Sequence, residues 1–450
     1  MAAAAAIAVL FGISEAPPAF LVSAAAAIFA GGLIWVATRR HIQRSTIADV
    51  SAFVFLAWLF TPLFAIPAIG QLAPDLDFTG QMFESYSAFT TTGAVLMDSA
   101  AAGPALVLWR CTLGFLGGFA TLLFAAGLLA AFDQSGPRMQ KSVLLTHDPD
   151  NVFSNFALAA RRVFALYSAF TFLCFVILTL SGTEAFDALC LALSSMSTSG
   201  YSPRPGALDA YVPDFGLIVV TLACLAGALN IAYLRNLFSR NERKYDPDLG
   251  GMAILIVAVF ALFMIASGFE GSVVASLAES VFAVTTSGFH ASDNTGFSPL
   301  AAIFAALVGG AAASTAGGLK ISRLVLLWNQ TFAELARLAD PSSVISLQFR
   351  GGDTGNAALV ALWSTILAFI ATMAIGMLAL AVLGAPLDHA WTAAAAALSN
   401  TGPLYQRFGL NFLWADFGLY SRIVLMTLMV LGRLEVLAGA AAIIALVRRH

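Results

Sequence analysis

The sequence predicts an all-α integral membrane protein in which four tandem repeats surround a pseudo-fourfold pore, after a leading N-terminal helical segment. Two observations predict this fold class. The 450 residues are 60% hydrophobic and 10% charged, whereas soluble globular domains contain about 25% charged residues. A four-residue motif, Ser/Thr followed by Thr/Asn, Ser/Thr and Gly, also occurs four times. One copy therefore belongs to each repeat.

The copies of this motif are almost evenly spaced. They end at Gly93, Gly200, Gly288 and Gly402, which are separated by 107, 88 and 114 residues. Such a period accommodates two membrane crossings and a short re-entrant segment, so each repeat is predicted to contain an outer helix, a pore helix, a filter strand and an inner helix. The predicted divisions are the leading segment 1–45 and repeats at 46–135, 150–245, 250–340 and 355–450.

Nine apolar runs are long enough to cross a bilayer core of about 30 Å at about 1.5 Å per residue. They are residues 18–38, 50–70, 105–131, 163–181, 214–236, 252–268, 299–328, 357–383 and 419–447. Residues 1–12 are apolar too, but as a helix they reach only about 18 Å, and whether they form a span stays open. The segments just before the motifs are too short to span and are predicted to be re-entrant pore helices: 78–89, 186–196, 275–284 and 388–398.

Basic residues are concentrated in alternate connections between these runs. Seventeen of the 22 lysines and arginines lie there, and the intervening connections are mostly acidic. The positive-inside rule then places the basic connections in the cytoplasm and all four motifs on the outer side. The basic residues are Arg39, Arg40, Arg44, Arg138, Lys141, Arg161, Arg162, Arg235, Arg240, Arg243, Lys244, Lys320, Arg323, Arg337, Arg350, Arg448 and Arg449.

The residue types of the motif suit the binding of a dehydrated monovalent cation. Backbone carbonyls supply several oxygen ligands without a full charge, and glycine permits positive φ and close approach of four strands. Close helix packing would explain one such motif, but four at matching positions favour a filter. The predicted filter is Thr90, Thr91, Thr92, Gly93, Ser197, Thr198, Ser199, Gly200, Thr285, Thr286, Ser287, Gly288, Ser399, Asn400, Thr401 and Gly402. The predicted cation ligands among them are Thr91, Thr92, Thr198, Ser199, Thr286, Ser287, Asn400 and Thr401.

A glycine-rich stretch, residues 309–320, interrupts the seventh apolar run. Four glycines, each costing up to about 1 kcal/mol in a helix, indicate an unwound loop below the third motif that could block ions. A close-packing surface is the alternative. Arg433 lies in an apolar run, where a charge is costly; it is either an ion-pair partner, with Glu435 nearby, or a gate charge facing the ion path. The predicted gate residues are Gly310, Ser314, Thr315, Gly317, Gly318, Lys320 and Arg433.

Other charged residues are given simpler interpretations. Arg110, beside Trp109 near a helix end, is predicted to be an interfacial anchor. Glu84 and Glu279, within pore helices, either cap a helix N-terminus or are solvated at the interface, or they attract cations. The four cysteines lack CxxC spacing and are interpreted as small buried hydrophobes.

Taken together, these segments resemble the Trk/Ktr/HKT superfamily of potassium transporters, closest to the bacterial Trk-type membrane subunit. The residues that carry the resemblance are 83–94, 285–289, 310–320 and 431–435, within a likeness that spans about residues 50–450. The resemblance implies potassium selection by four glycine-containing filters, an intramembrane gate at 310–318, and a gate-associated arginine at Arg433. Ala316, where a glycine is expected, and Asn400 and Pro403 in the fourth motif depart from the pattern.

The resemblance also implies a homodimer in the bacterial cytoplasmic membrane, with one pore per protomer and a cytoplasmic nucleotide-binding regulatory subunit of the RCK type. This chain has no GxxxxGK[ST] phosphate loop, so nucleotide control would come from that partner. Potassium is the only bound cofactor expected; no organic cofactor and no nucleic acid are expected.

Three other functions compete with that of a potassium pore. A sodium- or ammonium-permeable relative is disfavoured by glycine in all four motifs. A secondary transporter coupled to H⁺ or Na⁺ predicts paired broken helices in two related halves, whereas here four similar motifs share one side. An enzyme is disfavoured, because the five histidines lack HExxH spacing and there is no GxSxG elbow.

Overall fold

The computed structural model describes residues 1–39, 47–132, 152–237, 246–340, 348–349, 352–353, 356–409 and 412–434. Several sequence-based assignments fall outside these ranges. They are Glu435 and the basic residues Arg40, Arg44, Arg138, Lys141, Arg240, Arg243, Lys244, Arg350, Arg448 and Arg449.

Two helices precede the first repeat, α1 (Ala2–Leu10) and α2 (Ala16–Thr38). With nine residues, α1 is too short to cross a bilayer, so residues 1–12 contain no complete span. The α2 helix is tied to the first repeat, since Ser23 Oγ accepts a hydrogen bond from the Ala68 amide at 3.0 Å. Phe20 also stacks on Trp109, with ring centroids 4.5 Å apart.

The first and second repeats share one plan: outer helix, pore helix, motif, inner helix. In the first repeat the outer segment is α3 (Ile47–Phe60), a 3₁₀ turn (Thr61–Ala65) and α4 (Ile66–Leu72), followed by α5 (Phe78–Phe89) and α6 (Ser99–Phe132). The second repeat contains α7 (Val152–Leu180), α8 (Ala185–Met196), a 3₁₀ turn (Leu208–Ala210), α9 (Asp214–Ala228) and α10 (Ile231–Leu237).

The third and fourth repeats follow the same plan, with a divided inner segment in the third and a short helix after the motif in the fourth. The third contains α11 (Pro247–Ala266), α12 (Val273–Val284), α13 (Pro299–Val308) and α14 (Ile321–Ala339). A two-stranded antiparallel ladder, β1 (Gln348–Phe349) and β2 (Gly352–Asp353), pairs Gln348 with Asp353 and Phe349 with Gly352. The fourth repeat contains α15 (Asn356–Val382), α16 (Leu387–Leu398), α17 (Gly402–Gln406), a 3₁₀ turn (Trp414–Asp416) and α18 (Leu419–Arg433).

Six helical segments in the described ranges are long and apolar enough to cross a membrane: Ala16–Thr38, Ala52–Leu72, Ser99–Ala125, Leu158–Leu180, Pro247–Ala266 and Leu359–Val382. The predicted crossing 214–236 is instead two helices, because Leu229 is extended at ψ 156° and Asn230 caps α10 through its side chain. The predicted crossing 299–328 is broken by the glycine-rich stretch, and 419–447 is described only to residue 434. The predicted limits of the repeats stay a prediction.

The pore helices form the buried centre, and the long helices carry apolar side chains outward. The described residues of α16 from His389 onward are almost all buried, including the alanines at 393–397. Large apolar side chains such as Trp35, Ile254 and Val382 are exposed on the outer helices. Large apolar side chains exposed along several long helices are expected where the surrounding medium is the apolar core of a lipid bilayer.

Candidate ion path

The four motifs adopt one backbone conformation, despite lying about 100 residues apart. The second residue of each motif has positive φ: 53° at Thr91, Thr198 and Asn400, and 58° at Thr286. This conformation is unfavourable for β-branched residues such as Thr, and it persists only where the surrounding structure imposes it. Four occurrences at equivalent positions therefore indicate a common constraint rather than local accident.

The constraint comes from two sets of hydrogen bonds repeated in every motif. The amide of the second residue donates to a carbonyl in the last turn of its own pore helix, at 3.1–3.2 Å. The hydroxyls of the first and third residues are also hydrogen-bonded to each other. These hydroxyl pairs are Thr90 with Thr92 (2.8 Å), Ser197 with Ser199 (3.0 Å), Thr285 with Ser287 (3.2 Å) and Ser399 with Thr401 (3.2 Å).

The motifs form a closed ring in sequence order. A Cβ atom placed on each motif glycine would meet the next motif, and one on the fourth glycine would meet the first. At three of the four positions backbone of the neighbouring repeat occupies the space of a side chain, and at Gly288 a methyl group lies closest. The contacts are Gly93 with the Ser199 carbonyl oxygen, Gly200 with the Ser287 carbonyl oxygen, Gly288 with the Thr401 methyl at 3.1 Å, and Gly402 with the Ala94 nitrogen.

The fourth motif differs from the others at its glycine. Gly93, Gly200 and Gly288 have φ of 77°, 73° and 66°, but Gly402 is not in the left-handed region. The prediction that all four glycines suit positive φ is thus wrong for the fourth. The physical reason is that Gly402 and Pro403 begin α17, a helical turn, whereas the residues just after the other three motif glycines are not helical. The Gly402 amide donates to the Thr92 carbonyl oxygen at 2.6 Å, closing the ring onto the first repeat.

The glycine-rich stretch is an unwound loop, as its composition predicts. Positive φ occurs at Gly309 (75°), Ala313 (55°), Gly318 (75°) and Lys320 (77°). Ala316, the expected glycine, is not among the positive-φ residues. Backbone hydrogen bonds join the two ends of the loop, for example from the Lys320 amide to the Val308 carbonyl oxygen at 2.9 Å. The loop is therefore a defined structure held by backbone hydrogen bonds inside the protein.

The predicted gate residues divide into two groups. Gly310, Ser314, Gly318 and Lys320 shape the loop itself: the Gly310 carbonyl accepts from the Ile321 amide at 3.0 Å, and Ser314 Oγ donates to the Ala311 carbonyl oxygen at 2.6 Å. A Cβ on Gly318 would lie 2.5 Å from the Ala306 carbonyl oxygen, and Lys320 Nζ donates to the Ala316 carbonyl oxygen. The others, Thr315, Gly317 and Arg433, contact the motifs.

Thr315 and Gly317 approach the second residues of three motifs. Thr198 Oγ1 donates to Thr315 Oγ1 at 3.3 Å, and Thr286 Oγ1 accepts from the Gly317 amide at 2.7 Å. A Cβ on Gly317 would lie 3.1 Å from Asn400 Cβ and overlap the preceding carbonyl oxygen. The loop thus lies directly beneath the second, third and fourth motifs.

Arg433 completes this layer at the first motif. Its buried guanidinium donates to the Thr90 carbonyl oxygen, to Thr91 Oγ1 and to the Thr315 carbonyl oxygen. Its partners in the described part of the chain are neutral oxygens of the motif and loop; Glu435, the candidate ion-pair partner, lies outside the described residues. Arg433 therefore places a positive charge at the junction of the first motif and the loop.

Two ion pairs that sequence reasoning missed hold the chain beyond the first and third motifs. Arg110, predicted as an interfacial anchor, is instead buried and contacts Glu84 at 2.7 Å; that prediction is wrong. Glu84 also accepts from the Leu96 amide at 2.7 Å. In the third repeat Glu279 accepts from the Ala291 amide at 2.8 Å and pairs with Arg407 at 2.5 Å.

A sequence signal for these pairs was available. Both glutamates stand nine residues before the motif glycine, and both accept an amide twelve residues further on. Leu191 and Ala393 occupy the equivalent positions in the other two repeats. Both glutamates are also buried, so they are not solvated at the interface. The arginine partners lie in different places, which is why the pattern alone does not reveal them.

Comparison with known proteins bears on this arrangement. The sequence matches the model of the TrkH family, described as cation transport protein, over residues 17–269 and 253–447. The chain belongs to the TrkH family. It is 27% identical over 426 residues to the Trk system potassium uptake protein TrkH of Salmonella typhimurium, covering 91% of this chain and 88% of that protein. It is 28% identical over 448 residues to TrkI of Halomonas elongata, covering 96% and 91%.

A solved TrkH-family structure confirms the predicted fold class. The crystal structure of the potassium transporter TrkH from Vibrio parahaemolyticus superimposes with a TM-score of 0.85 at 25% identity, covering 97% of this chain and 93% of that one. Membership of the TrkH family makes the chain a multi-pass cation transporter of the inner membrane rather than an enzyme. The resemblance inferred from the motifs is thereby confirmed.

Proposed function

We propose that this chain takes up potassium through a pore that runs along the axis of the four motifs. The observation that carries the proposal is the closed ring of four strained, hydroxyl-braced turns, each ending in glycine. All twelve polar residues of the ring are fully buried. Buried oxygens without a full countercharge are the ligands that replace the hydration shell of a potassium ion. Relatives named as potassium uptake proteins support the choice of ion.

The proposed ligands are oxygens of the middle residues of the motifs. They include the backbone of Thr91, Thr92, Thr198, Ser199, Thr286, Ser287, Asn400 and Thr401. The hydroxyl pairs hold each turn in one conformation. The ring can favour one ion size only if its oxygens keep their positions when a smaller or larger ion binds. Filter selectivity therefore depends on packing around the ring as much as on the oxygens themselves.

The loop at 309–320 is the proposed gate. It lies against the second residues of the second, third and fourth motifs. Arg433 connects it to the remaining motif, the first. A cation passing the ring meets this layer next, together with a fixed positive charge that repels it. Uptake then requires the loop to move away from the axis. The three bonds from Arg433 to Thr90, Thr91 and Thr315 end on neutral oxygens, so releasing them separates no pair of opposite charges.

Substitution of Gly288 tests the ring. We expect Gly288→Ser to weaken the preference for potassium, because a Cβ there meets the Thr401 methyl at 3.1 Å and widens or distorts the ring without striking backbone first. The measurement is rubidium-tracer uptake into proteoliposomes with potassium, sodium or ammonium as competitor. The matched control is Gly182→Ser, a positive-φ glycine in a loop with open space around it.

Each outcome of this measurement has a defined meaning. Unchanged competition in folded Gly288→Ser protein would contradict the filter assignment. Equal competition by sodium and potassium in the unaltered protein would indicate a general monovalent-cation pathway. Flux that requires an added proton or sodium gradient, even with the regulatory subunit present, would favour a coupled transporter.

The assembly proposed for the chain is a homodimer with a cytoplasmic nucleotide-binding regulatory subunit. The support is the family resemblance together with relatives named as parts of a Trk system. The mass of the purified protein in nanodiscs tests the dimer, where a single-copy mass would contradict it. Co-purification of a soluble nucleotide-binding protein from the native membrane tests the second part.

A further inference from the structure

Pro403 directly follows the fourth motif glycine and has no role in the proposed filter or gate. It lies in the first turn of α17, at the end of the ring remote from the loop at 309–320. We propose that the Pro403 ring crosses the axis there and limits the entry of cations into the pore. This inference rests on the proposed potassium pore and adds a residue that sets its rate and size limit.

The position of Pro403 follows from its neighbours in three other repeats. A Cβ atom on Gly93 would lie 3.1 Å from Pro403 Cδ, one on Gly200 would lie 2.9 Å from Pro403 Cγ, and one on Gly288 would lie 3.5 Å from Pro403 Cβ. Since the Cα–Cβ bond is about 1.5 Å, atoms of the Pro403 ring lie within about 5 Å of the Cα atoms of all three glycines. Pro403 is therefore next to all three of the other motifs.

The contact with Gly200 decides the placement. The motifs follow one another around the axis in sequence order, so the second motif stands diagonally across from the fourth. A residue of the fourth repeat can touch Gly200 only by reaching over the centre. Pro403 is half-buried. This is expected for a side chain that packs against the motifs on one face and is exposed to solvent on the other.

Several bonds hold α17 in this position. The Gly402 amide donates to the Thr92 carbonyl oxygen at 2.6 Å, and Trp414 Nε1 donates to the Gly402 carbonyl oxygen at 3.4 Å. Tyr405 OH donates to the Phe412 carbonyl oxygen at 2.8 Å. Arg407, just beyond α17, pairs with Glu279 in the third pore helix. Residues on both sides of Pro403 are thus bonded to the first and third repeats, which fixes the position of the proline at the outer end of the ring.

The chemistry of proline makes this position restrictive. A pyrrolidine ring carries no hydrogen-bond donor and its carbons offer no ligand to a cation. A partly dehydrated ion that approaches along the axis therefore loses water before it gains the carbonyl oxygens below. The ion must pass beside the ring or displace α17, and either step depends on the volume of the side chain at 403.

A cysteine at this position tests the proposal. The four native cysteines are all buried, so an impermeant cationic methanethiosulfonate applied to whole cells reacts chiefly with an introduced thiol. In a strain without other potassium uptake, modification of Pro403→Cys is expected to lower rubidium uptake by about tenfold, since it adds bulk and charge on the axis. The control is Gln406→Cys, exposed on the same helix, whose modification is expected to leave uptake unchanged.

The possible results separate this inference from the proposed function. Absence of potassium-competed uptake in unaltered protein would contradict the pore itself. Normal uptake in unaltered protein, with labelled Pro403→Cys still fully active, would overturn only the placement of Pro403. Labelling at Gln406→Cys but not at Pro403→Cys would also overturn it, because the open end of the axis would then be elsewhere.

An alanine variant provides an independent measure if the cysteine variant does not fold. Pro403→Ala removes Cγ and Cδ, the atoms nearest Gly200 and Gly93. We expect rubidium uptake to rise about threefold and sodium to compete more strongly, as an outer constriction is relieved. Pro386→Ala, at the exposed start of α16 in the same repeat, is the matched control and is expected to behave like unaltered protein. An unchanged rate and an unchanged sodium response in Pro403→Ala would contradict the proposal.

Discussion

The first three motifs and the fourth share a turn but differ in the chain beyond it. In all four, a positive-φ residue and a hydroxyl pair shape the chain at the end of a pore helix. After the glycine, the chain of the first three motifs continues without helix, whereas the fourth begins α17 at once. The conformation of the ring is thus fixed by the motif and its pore helix, and the path beyond it is fixed by the next residue, which only in the fourth repeat is proline.

The two groups also meet the loop at 309–320 differently. The second and third motifs contact it through threonine hydroxyls, and the fourth contacts it by close backbone packing at Gly317. The first motif contacts it through Arg433, a residue of the fourth repeat. Substitutions in different motifs should therefore affect uptake and stability to different degrees. The ranking of these effects tests the proposed arrangement of the four motifs.

The largest effect is expected at Gly200. Gly200→Ala should abolish potassium uptake, because a Cβ there overlaps the Ser287 carbonyl oxygen. Gly288→Ala should retain measurable uptake, since no atom lies closer to its Cβ than the Thr401 methyl at 3.1 Å and its φ of 66° is close to the 73° of Gly200. Rubidium uptake by the two variants, at matched membrane levels, gives the comparison. Equal losses would show that positive φ, not crowding by the next motif, is the reason for glycine.

An intermediate effect is expected at Arg433. Arg433→Gln should raise resting uptake by at least about tenfold, because one charged hydrogen bond contributes about 1.5–3 kcal/mol and about 1.4 kcal/mol corresponds to a tenfold change in an equilibrium. Arg433→Lys keeps the charge with fewer directed donors and should fall between the two. Uptake by the three proteins without any regulatory subunit is the measurement. A fall in uptake for both variants, with intact folding, would count against a gate held shut by this residue.

The smallest effect is expected at Asn400, where the fourth motif differs in side chain. Its amide donates to Thr92 Oγ1 at 3.0 Å and to the Met429 carbonyl oxygen at 2.9 Å. Asn400→Thr, which copies the other motifs, should lower stability by about 1–2 kcal/mol through loss of these bonds. Asn400→Ala, which removes the same donors, is the control and should cost at least as much. Thermal unfolding in detergent gives both values, and an unaltered midpoint would show that the amide bonds are dispensable.

Local features of this chain could be predicted from sequence, and long-range ones could not. The predicted pore helices 78–89 and 388–398 agree with the observed Phe78–Phe89 and Leu387–Leu398 within one residue, because Pro, Gly and a polar motif mark their ends. The unwound loop followed from its glycines. The burial of Arg110 and the conformation of Gly402 did not, since each depends on a partner in another helix or repeat. Gly402 and Thr92 are 310 residues apart in the sequence, and the residue types around each of them do not indicate that they are hydrogen-bonded.

The proposed position of Pro403 on the axis requires four repeats joined in one chain, and a ring of four identical subunits could not reproduce it. A ring of identical subunits must repeat each residue at every quadrant. A proline crossing the centre would then appear four times at one point, where only one ring fits. Joining the quadrants covalently removes that restriction, so one of them can place a side chain at the centre while its neighbours keep glycine and leave it room. A single chain with four tandem repeats can therefore place one side chain on the pore axis, a position that a homotetramer cannot fill with one copy of a residue.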